Sequence, residues 1–166
     1  MAAENENAGL EANAMTVEID RDVTLTIKLT NSLTRAAHYI ADVRGIRIVD
    51  AGHVELLLSD EGRAVIPGAV SIEPRFNRVD PGAEATLSLR LPTSVVSMAP
   101  TAPSGPEVVF ERTEITPQTE IDVVIGWSDT PFYPDPREPG SRQQSTIAEW
   151  QTGSSRATFR PERPHR

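Results

Sequence analysis

The chain contains no cysteine in 166 residues. A disulfide scaffold, a Cys-ligated zinc site, a haem attachment and a cysteine nucleophile are thereby excluded. Nor is there a run near the ~18 consecutive apolar residues that a membrane helix requires, so no membrane span is expected. Lysine is almost missing: of the 16 basic residues only Lys28 is not arginine. Against 24 acidic residues these leave a net charge of −8. A nucleic-acid surface needs clustered basic residues, so no nucleic-acid partner is expected. The first 14 residues, MAAENENAGLEANA, lack the basic and apolar regions of a signal peptide, and the expected location is the cytoplasm.

Catalytic signatures are also missing. The histidines His38, His53 and His165 form no H-x-x-x-H or H-E-x-x-H spacing. There is no G-x-S-x-G elbow and no glycine-rich phosphate loop. The three histidines read as structural or exposed residues, the chain reads as a non-enzyme, and no cofactor is expected.

What remains is a chain long enough to bury one core, with 38% hydrophobic residues, 14 prolines and 10 glycines. Its dominant period is two. Val23, Leu25, Ile27 and Leu29 alternate with Thr24, Thr26 and Lys28, which puts one face on a core and the other in water. Ala85, Leu87, Leu89 and Leu91 repeat the pattern after the turn Asp80-Pro81-Gly82. Val17 and Ile19 alternate upstream, and further strands are predicted over 37–43, 45–49, 53–58, 69–73, 107–115 and 119–127. Turn residues at Asn31-Ser32, Asp50-Ala51-Gly52, Asp60-Glu61-Gly62, Pro67-Gly68 and Ser104-Gly105-Pro106 separate them. From 15 to 128 no window carries helical spacing. The reading is a single antiparallel all-β sandwich over 15–152, extending towards 160 if Trp150 and Phe159 anchor short elements. Its expected core includes Val17, Ile19, Leu25, Ile27, Leu87, Leu89, Val123 and Ile125.

The ends read differently. Residues 1–14 carry Glu4, Glu6 and Glu11 with no basic residue and are expected to be a disordered leader. Residues 153–166 hold four arginines against Glu162, a basic tail of charge +3. Two internal segments interrupt the strand rhythm: 92–106 and 128–146, both rich in proline.

Val70 to Leu91, VSIEPRFNRVDPGAEATLSLRL, resembles a strand pair of immunoglobulin-like sandwiches of the pilus-chaperone and major-sperm-protein type. Val23 to Asn31, VTLTIKLTN, is similar to the early strand of such modules, where Asn closes the strand. The resemblance implies an immunoglobulin-like fold and carries no active site. The Cys pair and intervening Trp of antibody domains are absent.

Two sets of candidate residues stand out in the 128–146 segment and at its start. Trp127, Phe132 and Tyr133 bring three of eight aromatics together, and Arg137 follows in a proline-rich stretch. Interfaces favour Tyr, Trp and Arg, so these four form a candidate partner-binding patch. The structural alternative is that the loop folds back to cap the end of the sandwich. Asp129, Asp135 and Glu138 offer hard oxygen ligands of the kind Ca²⁺ takes, with Asp20-Asp22 and Asp60-Glu61 as other acidic corners. The leading expectation is a protein-interaction module that binds through residues 127–138 or by strand addition at a sheet edge. A homo-oligomeric structural subunit (shell, pilus or virion component) and a carbohydrate-binding sandwich are the alternatives.

Overall fold

A computed structural model describes residues 8–59, 74–100 and 108–161 of the chain. It is all-β apart from one helical turn. The strands in order are β1 (Leu10–Ile19), β2 (Asp22–Asn31), β3 (Ala37–Ile40), β4 (Gly45–Asp50), β5 (His53–Leu58), β6 (Phe76–Val79), β7 (Glu84–Pro92), β8 (Ser94–Pro100), β9 (Val108–Glu114), β10 (Glu120–Ser128) and β11 (Gly153–Phe159), with α1 (Ile147–Trp150) before the last. One sheet has the order β1-β2-β7. The second runs β4-β5-β10-β3-β6, with β11 on β10, and β8-β9 form a separate hairpin.

The strict alternation of β2 is borne out residue by residue. Val23, Leu25, Ile27 and Leu29 are all fully buried, and across from them β7 contributes Leu87, Leu89 and Leu91. From the second sheet Ile40, Val54, Leu56, Leu58, Ile121, Val123 and Ile125 join the same apolar cluster. Both sheets therefore share one core, an arrangement compatible with a β-sandwich.

The expected all-antiparallel pairing needs one correction. β5 and β10 run parallel, from Glu120 opposite His53 to Ile125 opposite Leu58. Both are central strands covered on two faces, which is why they read as near-continuous apolar runs rather than alternating ones.

Order also begins earlier and ends later than the expected tail boundaries. β1 starts at Leu10, inside the 1–14 segment, because Leu10, Ala12 and Ala14 line up against Asn31, Leu29 and Ile27. A bulge between Ala14 and Thr16 then moves the inward positions from even to odd numbers, so Val17 and Ile19 stay on the same face. Val17 nevertheless remains 42% exposed on this outer strand, contrary to its expected place in the core. β11 occupies 153–159 within the expected basic tail, since Ala157 and Phe159 alternate with Arg156 and Thr158 and are buried. The 92–106 interruption is likewise part strand: β8 pairs with β9 and buries Val95. The predicted strand 69–73, the Asp60-Glu61 corner and residues 1–7, 101–107 and 162–166 lie outside the described residues. Among those described, no helix is long and apolar enough to cross a membrane.

Candidate functional site

Strand β10 ends at Ser128, opposite His38 of β3, and β3 in turn pairs with β6. The segment that follows folds back over this corner and is tied down along its length. Phe132 is buried and stacks on Phe76 of β6 with ring centroids 4.8 Å apart. Trp150 of α1 meets Phe76 edge-on at 5.0 Å, and its indole N–H donates to the Thr130 carbonyl at 2.7 Å. The helical turn exists to place that indole: Thr146 caps it by accepting from the Glu149 amide at 3.1 Å. Further along, the Asp135 amide donates to Ser141 Oγ at 2.8 Å and the Gln144 amide to the Phe132 carbonyl at 3.0 Å.

Ion pairs complete the attachment. Arg78 of β6 donates through Nη1 to Glu138 at 2.6 Å and lies 3.5 Å from Asp135, while its Nε reaches Asp80 at 3.0 Å. The buried His38 ring sits 3.0 Å from the same Glu138 oxygen. Arg137 grips Asp135 through Nε and Nη2 at 3.0 and 3.1 Å, and its backbone amide adds a third bond. These bonds from Arg137, aided by the Arg78 charge, hold the Asp135 carboxyl down at a pKa of about 2.

Between β3, β6 and the loop lies an open cleft of about 620 Å³. Tyr39, Phe76 and Asn77 border it from the strands, and Tyr133, Pro134 and Arg137 from the loop. The Tyr133 residue is 38% exposed and the Arg137 side chain 65%, both at the rim.

The four candidate binding residues therefore separate. Phe132, Tyr133 and Arg137 share the cleft, with Phe132 as a buried support. Trp127 does not line it: its indole packs against the backbones of Gly9 and Gly153. Loop capping and a rim of exposed recognition-type residues coexist here. The carboxylates also separate. Asp135 and Glu138 come together with His38, their nearest ligand atoms within 4.8 Å of one another. Asp129 instead pairs with Arg35 at 3.2 Å. The guanidinium of Arg78 stands where a cation would balance the two acids, so they have an internal counter-ion. At the third acidic corner, Asp22 is paired with Arg90. His38, Phe76 and Arg78 complete the site: His38 falls in the predicted strand 37–43 and reads in the sequence only as a structural or exposed residue, while no predicted strand covers Phe76–Val79.

A second polar cluster crosses the opposite end of the larger sheet. Asp122, 6% exposed, accepts from His53 at 2.7 Å, from Thr158 at 2.6 Å and from Arg156 at 2.9 Å. Burial raises its pKa, but the Thr158 and His53 bonds and the Arg156 charge outweigh that and pull it below the usual value. Arg156 also bridges to buried Glu55, which Arg47 holds from the other side at 2.7 Å. His53 opens on a smaller cleft of about 400 Å³ bordered by Glu120 and Arg160. The Thr158 hydroxyl donates to Asp122 rather than to His53, so these three do not form a nucleophile–base–carboxylate relay.

No protein-family model matches the chain, and comparison with the curated proteins and with the solved structures found no match.

Proposed function

We propose that this chain is a non-catalytic interaction module with an immunoglobulin-like β-sandwich fold. It recognises a protein partner at the cleft that the loop after β10 forms with β3 and β6. One observation carries the reading: the loop is fixed by its own chain, yet it leaves Tyr133 and Arg137 exposed on the rim. Aromatic stacking and the Arg78–Glu138 and Arg137–Asp135 pairs hold the loop in one conformation without a partner. Binding then forfeits little conformational entropy, which is how preorganised surfaces gain affinity. Tyr and Arg are also the residue types that dominate interface energetics. A partner strand added at a free sheet edge is the companion mode within the same reading.

The test compares the immobilised full chain with Tyr133→Ala and Arg137→Ala variants of matched circular dichroism. The expected result is that specific partners retained by the native chain are lost from both variants, each weakening affinity by about 30-fold or more. Equal retention by all three proteins would overturn the reading.

A further inference from the structure

We propose that copies of this chain associate head to tail, with segment 160–166 of one copy lying in the Tyr133 cleft of the next. The proposal rests on the reading of that cleft as a recognition site and names its occupant. Residues 162–166 lie outside the described residues, so the argument stands on the cleft, on where β11 ends and on the sequence that follows.

The segment reads Arg-Pro-Glu-Arg-Pro-His-Arg, with Pro161 and Pro164 three positions apart. That spacing places both rings on one side of a polyproline helix, which has three residues per turn. Shallow grooves lined with aromatic residues are the surfaces that take such segments, because the ligand is already extended and loses little entropy. Tyr39, Phe76 and Tyr133 line this cleft, and the exposed Asn77 supplies an amide beside them.

Charge favours the same pairing. The segment carries three arginines against Glu162, a charge of +2. The cleft lining itself carries Asp135 against Arg78 and Arg137, with Asp80 and Glu138 paired to Arg78 beside it, so the favourable charge comes from the chain as a whole. Residues 1–152 as a whole hold 23 acidic against 12 basic residues. The segment is thus basic and the rest of the chain acidic.

Geometry then sets the pairing between copies rather than within one. β11 runs from Gly153, opposite Trp127 beside the cleft, to Phe159, opposite Ile121 at the far end. Seven residues of strand separate the two ends by about 20 Å. From Phe159 to Pro164 the chain reaches only about 16 Å as polyproline. It would also have to reverse direction, and Arg160 and Pro161 already border the His53 cleft at the far end. The cleft of a second copy is subject to neither the limit of reach nor the reversal. Such a contact joins two different surfaces, so it propagates into rings or linear chains instead of stopping at a symmetric dimer.

Sedimentation velocity on three full-length proteins tests this: the native chain, Tyr133→Ala, and the double variant Arg163→Glu/Arg166→Glu. The native chain should grow beyond a dimer with concentration and dissociate in 0.5 M NaCl. Each variant alone should remain monomeric, because one side of every contact is broken. An equal mixture should form a dimer and nothing larger, since one copy offers only a cleft and the other only a tail. A native chain that is monomeric to millimolar concentration would overturn the proposal. So would assembly that persists in the tail variant, which leaves the folded core untouched, or a mixture that fails to dimerise. If the native chain is monomeric but Tyr133→Ala still releases outside partners, the cleft reading survives and only the head-to-tail proposal falls.

Discussion

Asn31 joins the two sheets through a single amide. It closes β2 at 1% exposure, and its Nδ2 group donates to the carbonyls of Arg35 at 2.8 Å, Val79 at 3.1 Å and Asp80 at 3.2 Å. Its Oδ1 accepts from the Leu33 amide at 2.9 Å. Val79 belongs to β6, so a residue of the smaller sheet holds the edge strand of the larger one and the Asp80 turn together. Removing the amide would leave buried backbone groups without partners, and that desolvation cost exceeds the net worth of the bonds themselves. Asn31→Ala should therefore destabilise the protein by about 2–4 kcal/mol in urea unfolding. A cost below about 1 kcal/mol would mean that water replaces the amide. The sequence marked this residue as a strand terminator, and that much was legible. Its reach to carbonyls 48 and 49 residues away was not, because partners of that separation leave no local pattern.

The loop that follows β10 depends on both packing and charge, and the two respond differently to pH. Phe132 and Trp150 fasten it through the core at any pH, whereas the Asp135–Arg137 grip requires an ionised carboxylate. With its folded-state pKa at about 2 against an ordinary value of 3.8, Asp135 contributes stability that is fully present above about pH 4. That contribution declines as the pH falls from about 4 and is lost through about pH 2. The melting temperature of the native protein should thus exceed that of Asp135→Asn by a few degrees at most at neutral pH, since exposed pairs contribute little. The gap should narrow below pH 4 and vanish near pH 2. A gap unchanged down to pH 2 would show that Asp135 acts through shape and not charge. The cluster of aromatics and prolines in this element is visible in the sequence. What it docks against is not, since Phe76, Arg78 and His38 come from strands 50 to 100 residues earlier.

At the scale of the molecule, the all-β architecture and most strands could be read from alternation, because each half-buried strand writes its own period into the chain. The elements that escaped this reading lack a clean period: β8 and β11 carry small and polar residues, and β6 is only four residues long. Strands β5 and β10 were legible as strands, but burial on both faces hid their parallel pairing. Strand β10 is also the hub of the larger sheet, since β5, β3 and β11 all pair with it. Its core-facing residues Ile121, Val123 and Ile125 share one apolar cluster with Leu25 and Leu89 of the smaller sheet and with Phe132 and Trp150 at the loop. A single shared core leaves no boundary along which one sheet could separate from the other, so unfolding should be cooperative. Both tryptophans lie at the loop end of the structure, which gives a direct check. Their fluorescence reports the Trp127 and Trp150 surroundings, while far-ultraviolet circular dichroism reports all the strands. The two signals should follow the same urea transition with one midpoint and one slope. A fluorescence midpoint clearly below the dichroism midpoint would show that the loop and α1 open before the sheets. In that event the rim carrying Tyr133 and Arg137 would not be preorganised, and the proposed recognition site would lose its main physical support.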